Sequence, residues 1–381
     1  MGWCYCNALT QLRRLSSWLA VAGFLAVLPQ PVEPSLRRAQ AAPDRLQQWL
    51  QAIDAHRPGD PGKVAVEVST WTGRELESVV AEARRHARTL ARADVERANQ
   101  MLLRGAALHA DIAILLPEDT VRRSPTQKAA YVVRDGRWIG TRYISMHWQL
   151  GRSLLDSVMP TPASHPGVRD WYLRTAAELL RLREFAAALD HYARARQIFP
   201  SEPQILFESG VLHELFGSTA LQAAAESLTE SNRTSAQVST ARGELEKAER
   251  FFHESLTYRP DHLEARIRHG RVLGELAKHE QAAAELRRAI DDGASGRLLY
   301  LAQLFLGRSE EARGHRDAAR AAFERASFLY PNAQSPRLAL SQIARRAGDR
   351  ASAQRELQAI AALPYDERRR EDPWWIYYEV R

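Results

Sequence analysis

The chain has 381 residues, with 53 basic and 46 acidic side chains giving a formal charge of +7. That length suffices for about two domains, or for one domain and an array of repeats. Basic and acidic residues alternate, as from Arg242 to Arg250, and no basic stripe or run of one sign forms. The charge is therefore read as solvated helix faces, and no nucleic-acid partner is expected. Cys4 and Cys6 are the two cysteines. Both precede the apolar segment described next, so a disulfide framework, a thiol nucleophile and a cysteine metal site are excluded from an exported chain.

In chain order, Arg13 and Arg14 precede an apolar run from Leu15 to Leu28. A bilayer core needs about 20 residues, so the run is short for a span and reads as the core of a signal peptide, with Ala39-Gln40-Ala41 as the cleavage signal. Residues 1–41 are thus expected to be a signal peptide, or an amino-terminal anchor if uncleaved, which is the one membrane attachment expected. The chain is then exported and periplasmic or envelope-associated, with an inner-membrane anchor as the alternative.

Residues 42–162 read as a helical amino-terminal domain or cap. Asp44 opens a helix with Leu46, Trp49, Leu50 and Ile53 on one face, ended by Pro58-Gly59-Asp60-Pro61. The stretch from Pro61 to Trp71 is read as helix, although Val64, Val66 and Val68 alternate like a strand. Leu76, Val79, Val80, Ala83, Ala87 and Leu90 recur at helical spacing, and Met101 to Leu116 is apolar nearly throughout, as a buried helix would be. Tyr131-Val132-Val133 and Trp138-Ile139 flank Asp135-Gly136, a hairpin or ordered loop. A helix resumes from Ser145 to Val158, and Pro160, Pro162 and Pro166 form a linker.

From about residue 168 to 367 one pattern repeats. Gly307, Ala319, Phe323, Ala326 and Pro331 have counterparts in Gly210, Ala248, Phe252, Ser255 and Pro260. Gly270, Ala282, Leu286 and Ala289 form another set, as do Ser341, Ala353, Leu357 and Ile360. Ala176, Ala188, Tyr192, Ala195 and Pro200 make the earliest. This spacing resembles the tetratricopeptide repeat, a pair of antiparallel helices about 34 residues long. The resemblance implies an all-α fold, a right-handed α-solenoid of about five repeats preceded by a helical amino-terminal region. The wide gap between Gly210 and Ala248 marks an insertion at residues 217–243, rich in Ser, Thr, Ala and Gln. Together with the signal segment and the aromatic tail, the array looks like those of exported bacterial proteins.

In that family the first helix of each pair lines a concave groove that binds partner segments. The resemblance places Arg181, Phe207, Glu214, Arg271, Arg308, Arg345 and Arg346 there. Arg271, Arg308 and Arg345 would form a row suited to forking onto a carboxylate, so an acidic or carboxy-terminal peptide is the expected ligand. Pairing with Glu275 and Glu311 is the plainer reading of the same arginines. The tail at 368–381 carries Trp374, Trp375, Tyr377 and Tyr378, which either cover the last repeat or serve as an aromatic anchor in the groove or on a partner.

Catalytic and metal patterns fail. His213-Glu214 begins a zinc motif, but Gly217 stands where the second histidine belongs. His109, Asp111 and His147 are the candidates for a small-molecule or catalytic site in the amino-terminal region. No metal or cofactor is expected. The protein is read as a non-enzymatic protein-binding scaffold or assembly factor, with an enzyme or a membrane-tethered assembly component as alternatives.

Overall fold

A computed structural model describes residues 41–57, 68, 71–114, 121–123, 130–134, 137–181, 185–218, 240–363, 371–375 and 377. The signal segment, most of the stretch from Pro58 to Thr70, most of the insertion, and Tyr378 lie outside the described residues. No described helix is long and apolar enough to cross a membrane. The chain divides into two compact units, Met1–Phe199 and Pro200–Arg381.

The first unit contains helices α1 (Ala41–Ala55), α2 (Gly73–Leu90) and α3 (Val95–Ile114). A small antiparallel sheet follows, β1 (Val121–Arg123), β2 (Ala130–Arg134) and β3 (Arg137–Gly140). Then come α4 (Thr141–Leu155), α5 (Pro166–Arg181) and α6 (Phe185–Ile198). α1 starts ahead of Asp44, so that residue lies inside the helix. Of the two readings, hairpin or ordered loop, β2 and β3 form a hairpin, with Arg134 opposite Arg137; Asp135 and Gly136 lie outside the described residues. Thr72 and Glu75 form a capping box that starts α2 by satisfying two otherwise orphaned N–H groups, and its buried face carries Leu76, Val79, Val80, Ala83 and Ala87.

α3 is the centre of this unit, touching α1, α2, α4 and α5. Gly105 allows the closest approach, because a Cβ there would lie 2.5 Å from the Trp49 ring of α1. On the other side the Trp171 indole N–H of α5 donates to the Ala106 carbonyl at 3.0 Å. Asn99 on α3 holds the linker by donating to the Met159 carbonyl (2.7 Å) and accepting from its N–H (2.9 Å). These contacts join the amino-terminal helices to the first hairpin, α5 and α6.

The second unit is a run of hairpins. They are α7 (Pro203–Phe216) with α8 (Ala241–Tyr258), and α9 (Leu263–Glu275) with α10 (His279–Asp291). α11 (Gly296–Ala312) with α12 (Arg316–Leu329), and α13 (Gln334–Arg346) with α14 (Arg350–Ala361), follow. The insertion does not prevent α7 and α8 from pairing, and Thr240 caps α8 by accepting from the Gly243 N–H.

The repeating small residues occupy equivalent places in successive hairpins. A Cβ on Gly307 would come within 2.6 Å of the Phe323 ring, on Gly210 within 2.6 Å of Phe252, and on Gly270 within 2.7 Å of Leu286. Each glycine therefore accommodates a large side chain from the second helix of its own hairpin. At the fourth position the Ser341 hydroxyl donates to the Ala353 carbonyl at 3.3 Å. Three turns also match: Ala277, Gly314 and Gly348 adopt φ of 61°, 82° and 79°. The N–H groups of Lys278, His315 and Asp349 then reach back to Leu273, Glu310 and Ala344 carbonyls, as helix ends of this type require.

Candidate functional site

In the second unit the first helices of successive hairpins lie side by side, α7 against α9 and α9 against α11. Glu214 at the end of α7 is completely buried. An unpaired carboxylate there would cost several kcal/mol. Both its oxygens are matched, Oε2 by Arg268 at 2.8 Å and Oε1 by Arg271 at 2.6 Å, two charge-assisted bonds from α9. Arg268 is also held by Glu264 at 3.0 Å, and Arg271 faces Glu275 at 3.8 Å.

The carboxy-terminal segment is seated on this row. Asp372, 3% exposed, accepts from the Tyr300 hydroxyl (2.7 Å), the Ser335 N–H (2.9 Å) and the Trp374 N–H (3.0 Å). Burial, then the neighbouring carboxylate, pushes the Tyr300 phenol well above its ordinary pKa, so it remains a donor. Trp374 lies under Arg271 and Arg308, whose guanidinium carbons are 5.2 and 5.0 Å from its ring centre, and meets Phe305 edge-on at 5.6 Å. Tyr377, 1% exposed, places its ring under Arg268 at 4.4 Å and against Phe305 at 5.5 Å. Its hydroxyl donates to Glu214 at 2.6 Å, and its carbonyl accepts from Arg268 at 3.2 Å. Aromatic faces attract guanidinium groups, by about 2 kcal/mol or more when desolvated.

The sequence-based site residues fare unequally. Glu214, Arg271 and Arg308 meet on the row, together with Trp374 and Tyr377 of the tail. Phe207 does not line a groove: it is buried against Phe252 and stacks near His262 in the core shared by α7, α8 and α9. An aromatic ring beside the crossing at Gly210 is worth more buried than exposed. Arg345 is exposed, Arg346 pairs with Glu311 at 2.6 Å, and Trp375 is 37% exposed. Arg181 belongs to the first unit, and its side chain lies outside the described residues. The chain's own aspartate is not held by the arginine row. Arg271 is committed to Glu214 and stacks on rings, while the tail's aspartate is held by a phenol and two backbone N–H groups. Covering the last repeat is not the tail's main contact: Ser335 of α13 is bonded to it, but its rings lie on α9 and α11.

Arg268, Tyr300 and Phe305 were missed. Arg268 sits one helical turn after Glu264, which reads as an ordinary surface pair, and Tyr300 and Phe305 read as core. In the first unit, His109, Asp111 and His147 do not converge. His109 and His147 face each other through Nδ1 at 2.8 Å, whereas Asp111 meets His56 at 2.9 Å and Arg174 at 3.7 Å. Burial pushes His109 down to about 3, and burial followed by His109 itself holds His147 well below the usual range. Both are neutral core histidines at neutral pH.

These hairpins, with their glycine crossings and aligned first helices, define a tetratricopeptide-type α-solenoid. No family model and no curated protein matches the sequence. Among solved structures, the chain is similar to MamA from Desulfovibrio magneticus RS-1, at 19% identity over 51% of this chain and 94% of that one, with a TM-score of 0.39. It is similar to PilW, described as a widely conserved type IV pilus biogenesis factor, at 17% identity over 51% and 77%, with a TM-score of 0.40. Likeness at this level carries no information on what the chain binds.

Proposed function

We propose that the protein is a non-enzymatic scaffold or assembly factor that binds a protein or peptide segment along the row formed by α7, α9, α11 and α13, in the bacterial periplasm or envelope. The observation that supports this most is that the row holds Asp372, Trp374 and Tyr377 of a non-helical segment through side chains and backbone bonds. Because the chain's own tail occupies the row, a partner binds there only by displacing it. Export is inferred from Arg13-Arg14 and the run from Leu15 to Leu28; retention of that run would make the protein a membrane-tethered component.

Crosslinking and pull-down from envelope and cytosolic fractions tests the reading, with the intact chain beside an Arg308→Ala/Arg345→Ala chain that leaves the buried Arg271 in place. A partner recovered by the intact chain and lost or reduced with the variant supports a receptor row. Equal recovery of every partner removes the row from the function.

A further inference from the structure

The charges of the row are matched without the tail. Glu214 already has an arginine on each oxygen, and each arginine has a second carboxylate nearby, so removing Tyr377 leaves no uncompensated charge. The donors that hold Asp372, the Tyr300 hydroxyl and the Ser335 N–H, are groups that water can satisfy. The tail does cover apolar surface, since Tyr377 is buried in one core with Tyr300 and Phe305 and Trp374 packs on it, but the charges of the row are matched without it.

What the tail does supply is a template. The aspartate is held by Tyr300 and Ser335, while the tryptophan two residues on and the tyrosine five residues on share Arg271 and Phe305, with Arg308 added for the first and Glu214 and Arg268 for the second. Pro373 removes one backbone donor and stiffens the approach between the first two seats. We infer that the row is a receptor for segments of this chemistry, an aspartate-proline step followed by tryptophan and a phenol at the same spacing, and that the chain's own tail is an internal competitor which such a partner must displace. This rests on the receptor reading of the row.

The test uses a fluorescein-labelled peptide of residues 371–378, Glu-Asp-Pro-Trp-Trp-Ile-Tyr-Tyr, followed by anisotropy. It is titrated against the full-length protein and against a full-length Trp374→Ala/Tyr377→Ala chain whose fold is checked by circular dichroism. A tethered segment acts at an effective concentration of about a millimolar. A peptide of about 10 μM affinity for the variant should therefore bind the intact chain roughly a hundredfold more weakly. Replacing the peptide's aspartate by alanine should weaken binding at least tenfold. Equal binding to both chains, or none to a folded variant, overturns the inference and leaves the tail a structural cap. If the double variant does not fold, Tyr377→Phe, which loses the hydroxyl bond to Glu214, is the substitute; it should bind the peptide about tenfold better than the intact chain, and no gain overturns the proposal. The assay needs only the purified chain. Peptide binding with no captured partner would sink the scaffold reading alone, and a partner captured equally by chains with and without the tail rings would sink the competitor alone.

Discussion

The two units bury polar groups in different proportions, mainly neutral histidines in the first, where Asp111 between His56 and Arg174 is the exception, and mainly matched ion pairs in the second. In the first, His109, His147 and His191 lie in the core and are kept neutral by burial, with Arg152 as a second cause at His191. In the second, Glu214 lies between Arg268 and Arg271, and the buried Glu310 of α11 meets Arg287 of α10, Arg313 at 3.0 Å and His315 at 2.7 Å. Neutral polar cores need only hydrogen-bond partners, whereas buried charges must be matched. The matched set leaves a surface on which aromatic rings can be stacked and unstacked without stranding a charge. An irregular bundle and a repeated hairpin thus differ in what their interiors can offer to another segment.

The largest expected effect breaks that matching. Glu214→Ala should destabilise the second unit by about 3–5 kcal/mol, because it leaves two buried guanidinium groups short of their shared partner; denaturant unfolding measures it. A loss below about 1 kcal/mol would mean that Glu264 and Glu275 suffice, and the contrast between the units would weaken. Next, Gly307→Ala should cost about 1–3 kcal/mol by forcing a methyl group into the Phe323 ring, and Gly105→Ala should cost a similar amount against Trp49. Pairing Gly307→Ala with Phe323→Leu should recover part of the loss if the clash is the cause, whereas additive losses would point elsewhere.

Acid sharpens the comparison further. His109 titrates at about 3 when folded and near 6.5 when unfolded, so below pH 6.5 the unfolded chain binds the extra proton. Stability from this group is complete above pH 6.5 and is lost as pH falls toward 3, by at most about 1.4 kcal/mol per pH unit. Protection factors of amides in α3 and α4, from which the intrinsic pH dependence of exchange is removed, should fall between pH 6.5 and 5, and His109→Gln should flatten that slope; an unchanged slope would place the titration at another group. The smallest effect lies in the turns. Ala277 occupies the left-handed conformation that Gly314 and Gly348 fill in the next two hairpins, so Ala277→Gly should raise stability by about 0.5–1 kcal/mol, read as a small rise in melting temperature.

Much of the second unit was legible residue by residue. That Gly210, Gly270 and Gly307 stand at hairpin crossings follows from the repeated spacing and the family resemblance. The side chain facing each does not: the spacing sends Phe323 to the gap before the next hairpin, whereas Phe252, Leu286 and Phe323 fill the space beside the glycine of their own hairpin. Gly105 against Trp49 was not legible, since nothing repeats in the first unit to show which residues face each other. The site was half visible: Glu214, Arg271, Arg308, Trp374 and Tyr377 were candidates, but their mutual assignment was not.

By itself, then, the sequence determined the hairpin repeat, the small residues at its crossings and the need of the tail's aromatic rings for cover, because each depends on residues near one another in the chain. Only the tertiary structure decided that Tyr377 reaches Glu214, that Phe207 turns inward, and that Asp111 meets His56 instead of joining His109 and His147. Those outcomes depend on how α7, α9 and α11, or α1 and α3, lie side by side, and alignment between helices far apart in the chain is fixed by packing, which no local pattern records.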